Sequence, residues 1–248
     1  MTTKIIKNKT DYGYCGQGQS HFVFVAPHAG GDDLKTAFLA IKLARIFAGS
    51  FVVNRRFFKQ SNSRSQKYPE RVEDFNRLSW SKKNNKYLWA KKNPAMKKFF
   101  ADISELCNLA KQKSPWGKAV VVYLHGMNSD KYLFDLGVGL RAKKDHQNKF
   151  RGTSAVPFSV SGVPTMPISI LKKLKNCFVE EINNFDSTKA VGVGVFPAWS
   201  RRVAIQFHKN GGRDDFALQL EINHEIRINQ EKLQQALLII ENVFKKVF

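Results

Sequence analysis

Residues 21–31 have the sequence HFVFVAPHAGG, an apolar run that ends on a histidine followed by small residues. A second stretch of the same kind, KAVVVYLHG, occupies residues 118–126 and ends on His125. Each run is apolar at nearly every position, which is typical of a strand covered on both faces. We therefore predict interior strands at 21–27 and 118–124, with His28 and His125 at their carboxyl ends.

Other segments predict helices and further strands around these two. Apolar residues at helical spacing predict four helices, at 34–47, 97–110, 168–183 and 230–247. Asp32 or Asp33 is placed to cap the first of them. Short apolar or alternating runs predict four more strands, at 51–53, 190–196, 203–207 and 216–222. The stretches 60–92 and 126–166 are expected to be long loops.

The order of these elements predicts the fold class. Strands alternating with helices indicate an α/β fold with a three-layer α/β/α arrangement around a mixed, mostly parallel central sheet. The closely spaced strands of the last third suggest neighbouring strands, and an antiparallel edge. No linker or internal repeat interrupts the chain, so we expect residues 1–248 to form a single domain.

The chain is strongly basic, with 41 Lys+Arg against 20 Asp+Glu and a formal net charge of +21. Such a charge serves a polyanionic partner or attracts a small anionic substrate into a cleft. The basic residues are spread thinly rather than concentrated in an arm, which makes nucleic acid an unlikely partner and favours a small anionic substrate. A general surface bias is the alternative, and the oligomeric state stays open.

Cysteine use and hydropathy indicate the compartment. Cys15, Cys107 and Cys177 are far apart and lack CxxC spacing, which argues against a disulfide framework and favours a reducing environment. The first ten residues lack the apolar segment of a signal peptide, and no apolar run approaches the ~20 residues of a membrane span. We expect a cytoplasmic protein without a membrane span.

The two strand-end histidines point to a metal site. Ligands collect at the carboxyl ends of strands in open α/β sheets, and neutral imidazole is the commonest metal ligand. Each histidine alone is more often a hydrogen-bonded strand-end residue, but there are two of them, and an acidic residue, Asp32 or Asp33, follows His28 closely in the sequence. Two histidines and a carboxylate are a standard set for catalytic zinc, Zn²⁺. Gly30 and Gly31 would let the backbone turn back towards the ion.

A hydrolytic metal site also needs a base and positive groups. Glu221 is the candidate base, because alternation along 216–222 places it on one face with Gln219, and a carboxylate inside a strand is costly to bury without a role. Arg55, Arg56 and Arg77 supply guanidinium groups for a substrate carboxylate or a developing oxyanion.

Five short motifs follow one another in chain order: Pro27-His28-Ala-Gly, Asn54-Arg55, Asp74-Phe-Asn76-Arg77, Leu124-His125-Gly-Met and Gln219-Leu-Glu221-Ile-Asn223. Together they resemble the N-formylglutamate amidohydrolase family and, more distantly, zinc carboxypeptidases and succinylglutamate desuccinylases. The resemblance implies a phosphorylase/hydrolase-like, zinc-carboxypeptidase-like fold with one zinc ion. It implies that His28 and His125 are ligands and that Glu221 is the catalytic glutamate.

The same resemblance implies that Asn76 and Arg77 hold a substrate carboxylate and that Arg55 polarises the scissile carbonyl. Carboxypeptidases place a glutamate where this chain has Gly31. A related poly-γ-glutamate hydrolase pattern aligns its glutamate with Asp33, which favours Asp33 over Asp32 as the acidic ligand.

We therefore expect a zinc-dependent hydrolase that cleaves the amide bond of a small acidic substrate, such as an N-acyl glutamate. The nearest alternative is a metallocarboxypeptidase that acts on glutamyl peptides, poly-glutamate or peptidoglycan. An alternative of another class is a basic binding protein for anionic ligands that has lost turnover.

Overall fold

The computed structural model describes residues 5–59, 65–89, 92–141, 164–196 and 198–248. These ranges contain ten strands: β1 (Asn8–Lys9), β2 (Gly13–Gly16), β3 (Phe22–Ala26), β4 (Ser50–Asn54), β5 (Trp80–Ser81), β6 (Lys86–Tyr87), β7 (Val120–Met127), β8 (Tyr132–Gly137), β9 (Ala190–Val193) and β10 (Phe216–Asn223). They contain six α-helices: α1 (Thr36–Ile46), α2 (Pro94–Lys111), α3 (Ile168–Asn183), α4 (Phe207–Asn210), α5 (His224–Ile228) and α6 (Gln230–Val247).

Eight of the strands form one mixed sheet, in the order β1-β2-β4-β3-β7-β10-β8-β9. The four strands β4, β3, β7 and β10 run parallel to one another, and β8 and β9 form another parallel pair. The antiparallel pairs are β1–β2, β2–β4 and β10–β8. The predicted α/β class with a mixed, mostly parallel sheet is thus confirmed.

The continuous apolar runs arise because successive side chains of β3 and β7 enter different cores. Phe22 and Phe24 of β3 belong to the core beneath α1, α3 and α6, whereas Val23 and Val25 belong to the core beneath α2. The same alternation separates the side chains of β7. Both faces of the sheet are therefore covered, which gives the three-layer arrangement that the sequence predicts.

The predicted strand at 203–207 is wrong. Residues Ala204–Gln206 form a 3₁₀ turn that continues into α4, and the backbone N–H of Gln206 bonds the carbonyl of Val203 at 3.0 Å. A run of five residues, VAIQF, fits both an alternating strand and a helical turn. Its apolar side chains pack into the core beneath α2, and this packing determines the conformation.

The predicted arrangement of the last third also needs correction. The stretch 126–166 contains a strand, β8, whose residues are all buried, and this strand separates β9 from β10. Consequently β10 lies inside the sheet, and the other edge, formed by β1 and β2, begins with antiparallel strands. A two-stranded hairpin, β5–β6, lies within the stretch 60–92 that the sequence predicts as a loop.

Neither Asp32 nor Asp33 caps α1 with its side chain. The N-cap is Lys35, which has a positive φ of 66° and makes no side-chain cap bond. The carboxylate of Asp32 instead accepts a hydrogen bond from the backbone N–H of Lys59 at 2.6 Å, and that of Asp33 faces the two strand-end histidines. Both carboxylates are thus engaged away from the helix.

The three cysteines are free thiols. Within the described ranges, no helix combines the length and apolar character needed to cross a membrane.

Candidate active site

The carboxyl ends of β3, β7 and β10 bring the principal site residues together. These strands are parallel neighbours, so their carboxyl ends meet at one edge of the sheet. His28 lies two residues beyond β3, His125 lies on β7, and Glu221 lies on β10 directly opposite His125 in the register. The fold alone therefore places both histidines and the glutamate at one edge.

Two glycines return the chain to this edge after β3. Gly31 has a φ of 147°, which side-chain-bearing residues rarely adopt, and a Cβ at Gly30 would lie 2.5 Å from the carbonyl oxygen of Phe57. The backbone N–H of Asp33 then bonds the carbonyl of His28 at 3.1 Å. This tight turn brings the Asp33 side chain back over the end of the strand.

Asp33 lies between the two histidines. Its Oδ2 is 3.2 Å from Nδ1 of His28 and 3.2 Å from Nδ1 of His125. All three side chains are buried, and the two imidazole rings are 4.8 Å apart between centroids. Three potential ligand atoms thus converge within a buried space.

Asp74 fixes the other side of the His28 ring. Its Oδ1 lies 2.8 Å from Nε2 of His28 and also accepts the backbone N–H of Asn76 at 2.8 Å. A carboxylate on the far nitrogen of a histidine orients the ring and directs the opposite nitrogen towards a metal. Asp74 stands in one of the sequence motifs, but its contact with His28 is visible only in the structure.

Electrostatic interactions within this cluster are strong. Burial lowers the pKa of His28, but its hydrogen bonds with Asp33 and Asp74 outweigh burial and raise that pKa to about 9. Burial opposes ionisation of Asp33, yet the hydrogen bonds with His125 and His28 hold the pKa of its carboxyl well below its usual range. Burial lowers the pKa of His125, and Asp33 offsets only part of this effect. In the metal-free protein, the positive charge beside Asp33 thus resides on His28.

Glu221 is a buried carboxyl on the strand next to His125. Its Oε1 accepts a hydrogen bond from Nε2 of Gln219 at 2.8 Å, so these two side chains share a face of β10. Burial raises the pKa of Glu221 to about 8, with further contributions from the negative charges of Asp33 and Asp135. In the metal-free protein this carboxyl therefore gains and loses a proton near neutral pH, as a general acid–base group must.

The cleft above this edge has a volume of about 240 Å³. Six of the seven site residues predicted from the sequence line it: His28, Asp33, Asn76, Arg77, His125 and Glu221. Arg77 is half-exposed, and the buried Oδ1 of Asn76 has no hydrogen-bond partner among the described residues. A cation and an uncommitted amide therefore face the same space as the histidine cluster.

The structure does not bring Arg55 into this cleft. Arg55 is exposed just beyond β4, and its backbone N–H bonds the carbonyl of Tyr12 at 2.8 Å. Lys59, four residues further along, is a cation that lines the cleft.

The three converging side chains suit a zinc ion. Ligands at about 2.1 Å from a tetrahedral zinc lie about 3.4 Å apart, which is close to the 3.2 Å separations between Asp33 and the two histidines. In the buried His125 ring, Nδ1 faces the carboxylate of Asp33. The other nitrogen, Nε2, has no hydrogen-bond partner among the described residues. The donor set of two imidazole nitrogens and one carboxylate oxygen is one that zinc favours.

A second buried cluster, Cys107, His208 and Asp215, is satisfied without an ion. The two ring nitrogens of His208 pair with Tyr123 at 2.9 Å and Asp215 at 2.8 Å, and Asp215 also pairs with Lys111 and Arg213. Burial raises the pKa of the Cys107 thiol, which disfavours the thiolate that a metal requires. Of these two clusters, the histidine cluster at the cleft is therefore the candidate metal site.

Several solved structures resemble this chain at low identity. Gene product Atu2144 from Agrobacterium tumefaciens gives a TM-score of 0.53 at 13% identity over 93% of this chain and 90% of that chain. The N-formylglutamate amidohydrolase from Ralstonia eutropha JMP134 gives 0.49 at 12% identity over 92% and 94%. A bacteriophage poly-gamma-glutamate hydrolase gives 0.47 at 13% identity over 98% and 87%.

The similarity to the Agrobacterium protein shows a shared fold. No protein-family model matches the sequence, and no similar curated protein is found.

Arg227, on α5, connects the three chain segments that carry the site. Its guanidinium donates to the carbonyl oxygens of Ile222 at 3.0 Å, Leu34 at 2.8 Å and Met127 at 3.5 Å. Each acceptor lies one or two residues after Glu221, Asp33 or His125. The same guanidinium fills the space where a Cβ at Gly126 would lie, so a larger residue at this position would displace Arg227.

Asp135 on β8 holds one wall of the cleft. It is fully buried, lies opposite Glu221 in the register, and accepts the backbone N–H groups of Val195 at 3.1 Å and Phe196 at 3.0 Å. Phe196 lines the cleft. Burial raises the pKa of Asp135 to about 6, although the two backbone hydrogen bonds lower it in part.

This raised pKa makes Asp135 a source of pH-dependent stability. Between its ordinary value of 3.8 and about 6, the folded protein retains a proton that the unfolded chain releases. The stability that protonated Asp135 contributes to the folded state is therefore fully present below pH 3.8, and it is lost as the pH rises through about 6. At about 1.4 kcal/mol per pH unit, the loss is about 3 kcal/mol.

We expect Asp135→Asn to abolish this loss, because asparagine does not titrate. The measurement is the free energy of unfolding by urea at several pH values from 4 to 7, and the informative quantity is the difference between the variant and wild-type slopes. Asp130→Asn, the same substitution at an exposed aspartate, is the control. Parallel wild-type and Asp135→Asn profiles would contradict the prediction.

Proposed function

We propose that this chain is a zinc-dependent hydrolase that cleaves an amide bond in a small acidic substrate, such as an N-acyl glutamate or a glutamyl peptide. The observation that carries this proposal is the convergence of His28, Asp33 and His125 in a cleft that also contains Glu221 and Arg77. A metal set, a basic carboxyl and a cation for the substrate are thereby within one space of about 240 Å³.

A bound zinc ion supplies Lewis acidity, which polarises a carbonyl group and lowers the pKa of a water molecule. His28, Asp33 and His125 would hold it, and Asp74 keeps the His28 ring in the orientation that presents Nδ1. Glu221 accepts a proton from the attacking water at a carboxylate oxygen and returns that proton to the leaving nitrogen. Its buried position favours this exchange because its pKa lies at about 8 rather than near 4.5.

Arg77 and Asn76 are the groups proposed to hold the substrate carboxylate. The planar guanidinium matches a carboxylate with two parallel hydrogen bonds, and the amide of Asn76 offers a further polar contact beside it. The basic character of the chain favours the approach of an anionic substrate. Polarisation of the carbonyl by Arg55 stays a prediction from the sequence resemblance, and it requires the exposed side chain to move towards the cleft.

The proposal is tested with zinc-loaded protein and a panel of N-acyl amino acids and glutamyl peptides. We expect hydrolysis of compounds with a free carboxylate, loss of hydrolysis with a chelator, and recovery with added zinc. The matched control is each substrate with its carboxylate converted to an amide, which should react poorly. The identity of the products separates an N-acyl amidohydrolase from a carboxypeptidase. Absence of hydrolysis by protein with one zinc per chain would overturn the proposal.

Asp74→Ala is expected to weaken zinc binding by about 10- to 100-fold, the usual effect of removing a carboxylate that orients a metal-binding histidine. The substitution frees Nε2 of His28 and leaves the three proposed ligands in place. Competition with a chromogenic zinc chelator measures the affinity. Asp32→Ala is the matched control, because this nearby carboxylate accepts the backbone N–H of Lys59. Equal affinities of both variants and wild type would show that Asp74 does not support the site.

A further inference from the structure

A second pocket adjoins the cleft. It has a volume of about 400 Å³ and is lined by Trp80, Lys82, Ser200, Arg201 and Arg202. Among the described residues, its lining includes three cations and no carboxylate. The proposed function makes no use of this pocket.

The two pockets share the same pair of chain segments. Arg77 and Val203 form an antiparallel bridge and both line the cleft, and the backbone N–H of Leu78 bonds the carbonyl of Arg202 at 2.6 Å. Arg202 directly precedes Val203, and Trp80 follows Arg77 by three residues. Three residues span at most about 11 Å, so the backbone segments that line the two pockets are close neighbours.

The cations of this pocket are not neutralised by neighbouring acids. Lys82, Arg201 and Arg202 are exposed, and none of them forms an ion pair with a carboxylate in the part of the chain that the structure describes. Arg201 contacts the polar Asn85 at 3.3 Å, and its guanidinium carbon is 5.5 Å from the centre of the Trp80 ring. Three exposed cations that have no carboxylate partner among the described residues are available to bind an oxyanion.

Trp80 lines the pocket with a buried side chain. Its Nε1 has no acceptor among the described residues. An indole N–H can only donate, and a buried donor without an acceptor is unfavourable. A ligand oxygen that displaces the Arg201 side chain from the face of Trp80 would satisfy this group.

We infer that this pocket is a second anion subsite, which binds a side-chain carboxylate of an acidic peptide whose other carboxylate is held by Arg77 in the cleft. The inference rests on the proposed function for the role of Arg77, and it narrows the substrate class. A compound with one carboxylate occupies the cleft alone, whereas an extended acidic peptide with two or more carboxylates can contact both sites. The preferred substrate is therefore a peptide with at least two acidic groups.

The test compares two peptides that differ only in side-chain charge, Glu-Glu-Glu and Gln-Gln-Glu, with zinc-loaded protein. Wild type is expected to show a kcat/KM for Glu-Glu-Glu about tenfold higher, the effect of one charged hydrogen-bonded contact. In R201Q/R202Q this ratio should fall to near one. K172Q/K173Q is the matched control, because it removes the same charge from exposed lysines on α3 and should keep the wild-type ratio. Trp80→Phe should lower the ratio in part, with thermal unfolding measured alongside to show that the variant is folded.

The outcomes separate this inference from the proposed function. If both peptides are hydrolysed and R201Q/R202Q keeps the wild-type ratio, the subsite is refuted while the hydrolase proposal stands. If K172Q/K173Q loses the ratio equally, general charge explains the preference and the subsite is again refuted. If neither peptide is hydrolysed, the subsite is tested by measuring the Kd of Glu-Glu-Glu with isothermal titration calorimetry. A Kd about tenfold weaker for R201Q/R202Q than for wild type supports the subsite, and equal Kd values overturn it.

Discussion

Glu221→Gln is expected to lower kcat by about three orders of magnitude, which lies within the range that general acid–base catalysis contributes. The amide keeps the size of the side chain and can still pair with Gln219, but it cannot accept a proton from water. The buried carboxyl opposite His125 is the group placed for this transfer, and its pKa of about 8 suits both acceptance and return of the proton. Zinc content should remain that of wild type, because Glu221 is not one of the three proposed ligands.

The measurement is steady-state hydrolysis of the best substrate from the panel, together with zinc analysis of the same samples. Glu231→Gln is the control, because it makes the same chemical change at an exposed position in the first turn of α6. A Glu221→Gln protein that retains kcat within a factor of two would show that another group performs the proton transfer. Loss of zinc together with activity would instead assign Glu221 to the metal site.

Arg227→Met is expected to lower the free energy of unfolding by about 4 kcal/mol, because three carbonyl oxygens lose a buried charged donor. Methionine fills most of the volume but donates no hydrogen bond. The three acceptors follow Asp33, His125 and Glu221 closely, so the substitution should also loosen the metal cluster and weaken zinc binding.

Chemical denaturation of the zinc-free protein measures this loss without a contribution from the metal. Arg45→Met, at an exposed position of α1, is the control and should change stability little. Should Arg227→Met fail to fold, Arg227→Lys keeps the charge but lacks the fork that reaches three carbonyls, and it should lose part of the same stability. Wild-type stability in both variants would contradict the role assigned to Arg227.

The central elements of the fold could be predicted because their patterns have a single explanation. The runs in β3 and β7 are apolar on both faces, and only a strand covered by two layers buries every side chain. The helices α3 and α6 have the bounds that the apolar spacing predicts, 168–183 and 230–247. With the parallel order of the strands, the meeting of His28 and His125 at one edge follows.

Other features could not be predicted, because residues that serve the site interrupt or imitate the usual sequence patterns. β8 contains Asp135, a carboxylate that breaks its apolar pattern and is buried because it binds the backbone of the cleft wall. Asp32 and Asp33 suit a helix cap by residue type, but tertiary contacts with the Lys59 backbone and the two histidines engage both. Sequence position carries no information on such long-range partners.

The supporting residues of the site depend on contacts between distant segments. Asp74 lies 46 positions from His28, and Arg227 lies 193 positions from Leu34. Asp74 stands beside Asn76 and Arg77 in a quoted motif, which is the one local signal that could have pointed to it. For Arg227 no pattern in the sequence gives such a signal, because its role follows from where α5 packs after β10.

The central claim is that His28, Asp33 and His125 hold a zinc ion on which hydrolysis depends. The most direct measurement is elemental analysis of purified protein after incubation with zinc and exhaustive dialysis, for wild type and for His125→Ala. The account predicts about one zinc per wild-type chain, as expected for a three-ligand catalytic site, and no retained zinc in the variant. A wild-type protein that retains no zinc, or a variant that retains as much as wild type, would contradict it.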